Sequence, residues 1–139
     1  MSIADRYQAY ADAFEQSYED DDWSRIEPFF TEDAVYEGAP EDAVGRAAVL
    51  AKLKGGVDSF DRLMDSRTPD FQSPSVEGDT LTMSWTVTYS KAGAPDLAIS
   101  GVEVAVFEGD RIARLRDDFD PAAEKAMGEW MAAHGASLQ

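Results

Sequence analysis

Between Leu81 and Tyr89 the chain alternates with a period of two: Leu81, Met83, Trp85, Val87 and Tyr89 are large and apolar, and Thr82, Ser84, Thr86 and Thr88 lie between them. In an extended strand that spacing puts the large side chains on one face and the hydroxyls on the other. A strand with one apolar face needs a covering layer, and the first half of the chain is patterned to supply it. Ile3, Tyr7, Tyr10, Phe14 and Tyr18 recur at helical spacing, up to the Asp20-Asp21-Asp22 run. A second, short amphipathic helix carries Trp23, Ile26, Phe29 and Phe30; Thr31-Glu32-Asp33 has turn chemistry, and Ala34-Val35-Tyr36 reads as a strand entry. A loop is expected between Pro40 and Gly45. Val49, Leu50, Leu53, Val57, Phe60 and Met64 then mark a longer helix, with a bend or break expected at Gly55-Gly56.

Later segments return to strand signals. Pro69 and Pro74 put residues 67–76 at a sheet edge or make them irregular, because proline cannot donate to a ladder. Glu77-Gly78-Asp79 and Gly109-Asp110 are hairpin turns, and Lys91 to Asp96 forms a wider loop. Pro121 opens a last helix to about Gly135, with Ala123, Met127, Trp130 and His134 on one stripe. Helices first and strands later predict an α+β fold with a curved, mainly antiparallel sheet, and 139 residues suit one domain, 1–139.

Charge narrows the partners. Acidic residues number 28 against 12 basic ones, a net charge of −16, which opposes nucleic acid, anionic membrane surfaces and acidic substrates. The chain has no cysteine, so thiolate chemistry and cysteine-based metal sites are excluded. It shows no glycine-rich phosphate loop, nucleophilic serine motif or metal-spaced histidine set, so neither a cofactor nor a metal is implied. No apolar run approaches membrane-spanning length, and Met-Ser-Ile-Ala-Asp-Arg lacks signal-peptide character, so the expected location is cytoplasmic.

Two carboxylates interrupt apolar surroundings. Glu103 sits in Gly101-Val-Glu-Val-Ala-Val-Phe107, and Asp117 shares a strand face with Ala113, Leu115 and Phe119. A hairpin at Gly109-Asp110 makes the two cross-strand neighbours, close enough for one carboxyl to raise the pKa of the other. One reading is an acid/base pair. The other is structural, with Glu103 paired to Arg67 or Arg114 and Asp117 ending a strand. The Asp20–Asp22 run reads as a solvated turn capping the next helix, and His134 as a helix-end residue. Among the aromatics, most of which fill the core, Tyr18, Tyr36, Phe60 and Trp85 are assigned to a ligand pocket.

The stretch Asp22 to Gly38, with Gly45-Arg46 and the run Gly109 to Asp120, resembles the nuclear transport factor 2-like superfamily, which holds ketosteroid isomerase, scytalone dehydratase, limonene epoxide hydrolase and the SnoaL-type polyketide cyclases. The resemblance implies a cone-shaped sheet wrapped around the N-terminal helices and pairing of two copies sheet to sheet. By the same resemblance Glu103 falls where ketosteroid isomerase carries a protonated aspartic acid, and Asp117 falls on the cyclases' acid/base aspartate. Tyr36 matches a water-holding tyrosine of limonene epoxide hydrolase. Departures are equally specific. Phe14 and Gly38 stand where ketosteroid isomerase has its oxyanion tyrosine and its base, the Arg-x-Asp pair of the epoxide hydrolases is missing around Thr86, and His134 lies outside the strands where scytalone dehydratase has histidines. What remains is a cofactor-free isomerase, cyclase or hydrolase with Asp117 as acid/base, Glu103 as its partner and Tyr36 as an orienting donor, acting as a homodimer on a small uncharged molecule. The alternative is a non-catalytic ligand-binding or dimerisation module.

Overall fold

The computed structural model describes residues 2–38 and 41–138. Helix α1 (Ile3–Asp20) opens on a capping box in which Ser2 and Asp5 satisfy each other's backbone N–H groups. Asp22 then caps a 3-10 helix, Trp23–Phe29, by accepting from the Ser24 amide, while Asp20 pairs with Arg25 and Asp21 accepts from the Trp23 indole. The aspartate run is thus a capped helix connection, as its composition implies. Strand β1 (Phe30–Glu37), the two-residue β2 (Ala43–Val44) and helix α2 (Arg46–Ser59) follow. The sheet is completed by β3 (Ser66–Phe71), β4 (Ser75–Glu77), β5 (Thr80–Ser90), β6 (Leu97–Glu108) and β7 (Arg111–Phe119), and α3 (Pro121–His134) closes the fold.

The described residues form a seven-stranded sheet in the order β2-β1-β7-β6-β5-β3, with β4 also on β5. Every pairing is antiparallel except β1 with β7. This open, mixed, curved sheet with helices at both ends of the chain is the α+β cone expected from the sequence. Residues 67–71 and 75–76 lie on the edge side, in β3 and β4, with Pro69 in β3 and Pro74 in the connection between them, where proline does least damage.

Local expectations are corrected in three places. Thr31-Glu32-Asp33 forms no turn: β1 begins at Phe30, and the turn-favouring residues are absorbed where the β1–β7 register slips between Phe30 and Val35. Helix α2 runs through Gly55-Gly56 to Ser59 without a break. Both glycines face open space, and burial of Val49, Leu53 and Val57 holds the turn that glycine would weaken by about 1 kcal/mol per residue. Of the loop expected between Pro40 and Gly45, Pro40 lies outside the described residues, and Ala43–Val44 pair with β1.

Two separate apolar clusters sit on the inner face of the sheet. One joins Tyr7, Tyr10, Ile26, Phe30, Val49, Leu53, Leu81 and Leu115 between the first two helices and the sheet. The other joins Met64, Val87, Tyr89, Leu97, Ile99, Ala123 and Trp130 under α3. The reason is visible along β6, whose inward positions read Leu97, Ile99, Gly101, Glu103, Ala105 and Phe107. Apolar side chains stand at both ends, and in the middle stand a glycine and a carboxylic acid.

Gly101 is there because nothing else fits. A Cβ at this position would lie 2.6 Å from the Asp118 carbonyl oxygen and 2.8 Å from the Trp85 ring. Its absence lets Trp85 lie across the strand, edge-on to Phe119 at 5.6 Å. Gly101→Ala is therefore expected to displace Trp85 and destabilise the fold by roughly 1–3 kcal/mol, the usual cost of overpacking. Denaturant unfolding, with the tryptophan emission spectrum as a readout of the ring, checks both effects.

Candidate functional site

Between the two apolar clusters lies a cavity of about 320 Å³. Glu103 and Asp117 stand on its wall, directly opposite each other in the β6–β7 register, so the hairpin at Gly109-Asp110 does bring them together. Tyr36 reaches the same place by another route: the parallel β1–β7 pairing sets it beside Leu115, and its hydroxyl donates to Asp117 Oδ2 at 2.6 Å. Tyr7 arrives from α1 and donates to Glu103 Oε1 at 2.6 Å. The result is a chain of four groups, Tyr7–Glu103–Asp117–Tyr36, assembled from one helix and three strands.

Its electrostatics follow from burial. Glu103 retains some accessible surface through the cavity yet is surrounded by protein atoms, and desolvation pushes its carboxyl well above the ordinary value of 4.5. Asp117 raises it further, by charge and by sharing a proton, while the Tyr7 hydroxyl acts in the opposite direction. Neither arginine considered as a structural partner reaches Glu103. Arg67 is held by Glu15 at 2.5 Å and Asp61 at 2.7 Å, and Arg114 pairs with Glu37 on the outer face. The polar partners of Glu103 are thus Tyr7 and Asp117, with no guanidinium. The two tyrosines are pushed upward as well, by desolvation first and then by the carboxyl each one meets, so both stay protonated as donors.

Phe60 and Trp85 line the cavity as assigned from the sequence. Tyr18 does not: it lies behind the wall, stacked against Arg67 at 5.0 Å and Arg62 at 5.2 Å, with its hydroxyl on the Asp61 carbonyl. Three residues that sequence reasoning left in the core or overlooked belong to the lining. Tyr7 shares the helical stripe of α1 with true core residues, and periodicity cannot tell a tyrosine whose hydroxyl finds a carboxyl from one that fills space. Tyr10, one turn on, lines the cavity with a hydroxyl that takes no partner among the described residues. Its ionisation is opposed by burial and by both carboxyls. Lys52 lies over the Tyr36 ring at 5.0 Å and donates to the Gly38 and Glu41 carbonyls.

A family model described as a SnoaL-like domain matches residues 7–115. Among solved structures, TerC co-crystallised with polyporic acid superposes with a TM-score of 0.67 at 14% identity, over 91% of this chain and 98% of that one. A candidate SnoaL-like polyketide cyclase from Shewanella denitrificans OS-217 gives 0.66 at 15% identity, over 91% and 96% of the two chains. An LEH-like epoxide hydrolase from M. tuberculosis gives 0.64 at 16% identity, over 97% and 98%. No curated protein matches the chain by sequence. At these identities the structural likeness establishes the fold.

The opposed effects on Glu103 give a signed expectation. Asp117→Asn should lower the Glu103 pKa by removing a charge, and Tyr7→Phe should raise it by removing a donor to the carboxylate. Carbon-detected NMR titration of the Glu103 carboxyl distinguishes these shifts from independent titration. Stability follows the same sign. A carboxyl with a raised folded-state pKa contributes fully below its unfolded value near 4.5, and that contribution is lost as pH rises through the folded pKa. Glu103→Gln should flatten this decline in chemical denaturation, whereas an unchanged slope would show that Glu103 titrates normally.

Proposed function

The chain belongs to the SnoaL-like domain family, and on that premise we propose that it is a cofactor-free acid/base enzyme of the isomerase, cyclase or hydrolase class, acting on a small, uncharged, mainly apolar molecule. The observation that carries this reading is the Glu103–Asp117 pair, held between two tyrosine hydroxyls on the wall of the cavity. Two facing carboxyls with one proton between them supply an acid and a base from the same residue type. Glu103 holds the proton. Asp117 accepts one from a carbon acid or from a water molecule, with Tyr36 fixing the orientation of the carboxylate. Tyr10 is placed to donate to an oxygen on which charge develops, because its hydroxyl is not used internally. Carboxyls at both ends of the cavity oppose anionic substrates.

The test is a panel of small ketones, lactones and epoxides, assayed for turnover with wild-type protein and with Asp117→Asn. The expected outcome is turnover of at least one class, reduced by roughly a hundredfold or more in the variant, the range typical for loss of a general acid or base. Circular dichroism should show the variant folded. A variant that retains turnover would remove Asp117 from the chemistry. Ligand binding without turnover would favour the non-catalytic binding module, for which the same cavity and the same fold would serve.

A homodimer belongs to the same proposal. Val102, Val104 and Val106 alternate on the outer face of β6 and are only partly exposed, beside Arg114 and Arg116 on β7. Pairing of two such faces would cover the valines. Light scattering at micromolar concentrations is expected to give twice the 15.2 kDa chain mass, and a monomer throughout would exclude it.

A further inference from the structure

The cavity has a second polar end. Arg67 lines it from β3 with its side chain only 8% exposed, and the guanidinium is gripped on two sides, Nε by Asp61 and Nη1 by Glu15. Tyr89 donates to the same Asp61 oxygen. The remaining nitrogen, Nη2, carries two N–H groups, of which the neighbouring Tyr89 oxygen can take at most one. Arg67 lines the cavity, so an N–H left over by these partners is a donor that this end of the cavity can offer.

The two polar ends are far apart. Arg67 is in register with Tyr89 on β5, whereas Glu103 is in register with Met83, six residues along the same strand. Both ends are tied to α1, through Glu15 and Tyr7, which are eight residues apart, or about 12 Å of helix at ~1.5 Å per residue. Between them the wall is Phe14, Phe60, Trp85 and Val87. Two carboxylates face one guanidinium at the Arg67 end, so the cluster carries no positive charge to offer an anion. What it offers is a fixed donor N–H to a neutral acceptor.

We propose that Arg67 forms a second binding subsite, which holds a neutral acceptor oxygen, such as a ketone, ester or ether oxygen, of an elongated apolar ligand whose opposite end lies at Glu103 and Asp117. This deepens the function proposed above, and it rests on that reading for the placing of the ligand's other end. It makes the substrate class an extended molecule with an acceptor oxygen at the opposite end from the reacting centre, since α1 and β5 both hold the two polar ends apart.

Equilibrium dialysis of two matched probes, 4-acetylbiphenyl and 4-ethylbiphenyl, tests the subsite without requiring turnover. Wild-type protein is expected to prefer the ketone by roughly tenfold or more, as for a hydrogen bond from a charged donor, and the preference should fall to within about twofold in Arg67→Gln and Arg67→Lys. Arg67→Lys keeps the charge between Asp61 and Glu15 but lacks the second guanidinium edge, so it addresses the case in which Arg67→Gln does not fold. Circular dichroism reports folding, and a wild-type ratio near one overturns the subsite without any variant. In Asp117→Asn the preference should persist. No preference in wild type, no binding of either probe, a preference surviving in a folded Arg67 variant, or its collapse in Asp117→Asn would each overturn the subsite. Because the readout is a binding ratio, loss of the acid/base reading through the turnover and titration experiments would leave a positive result here intact.

Discussion

A carboxyl set among apolar side chains must give up its charge or find a partner, and in this fold the choice at Glu103 organises the rest. No guanidinium reaches it; it faces Asp117 across the β6–β7 ladder and accepts from Tyr7. That arrangement requires α1 to lie over β6, β1 to run beside β7 so that Tyr36 can hold Asp117, and the two apolar clusters to stop on either side. Glycine at 101 extends the same gap by letting Trp85 lie flat where a side chain would stand. The cavity is therefore a result of where apolar packing is interrupted, and the interruption is written into one strand.

The arginines show how the protein keeps its charges apart. Arg67 and Arg114, either of which could have neutralised Glu103, are occupied by other acids: Glu15 and Asp61 on the inside, Glu37 on the outside. In a chain of net charge −16 acids are plentiful, and an inward guanidinium such as that of Arg67 can be enclosed by them. The consequence is a carboxyl pair whose proton content is governed by burial and by tyrosine hydroxyls, groups that hold their protons across the working pH range.

Much of this was legible in the sequence where one physical rule acted alone. The alternation from Leu81 to Tyr89 gave β5, and the Gly109-Asp110 turn fixed the register that sets residue 103 against 117. Legibility failed where tertiary contacts overrode local preference. Thr31-Glu32-Asp33 prefers a turn, yet β7 draws it into a slipped strand; Gly55-Gly56 should weaken a helix, yet buried neighbours on both sides keep it continuous. In the site, the carboxyls were visible because they break an apolar pattern. Tyr7 and Tyr10 were not, since a tyrosine conforms to such a pattern whether or not its hydroxyl has a task. Tyr18 was misplaced for the converse reason, because helical spacing fixes the inner face of α1 but not whether a residue there meets the cavity or the arginines behind it.

The contacts that close the site are among the most remote in the chain. Tyr7 and Glu103 are 96 residues apart, Tyr36 and Asp117 81, and Glu15 and Arg67 52. Loop-closure entropy grows with separation, so such contacts are expected to follow the local helices and the β5–β6–β7 meander. During synthesis, the first two helices must wait until β7 has emerged before the carboxyl pair can be covered. Until then Glu103 is free to ionise in water, and it becomes an unusually weak acid only when the two ends of the chain meet. The carboxyl pair and the completed fold thus share one final step, and a partly folded chain lacks these groups in the form that the proposed function needs.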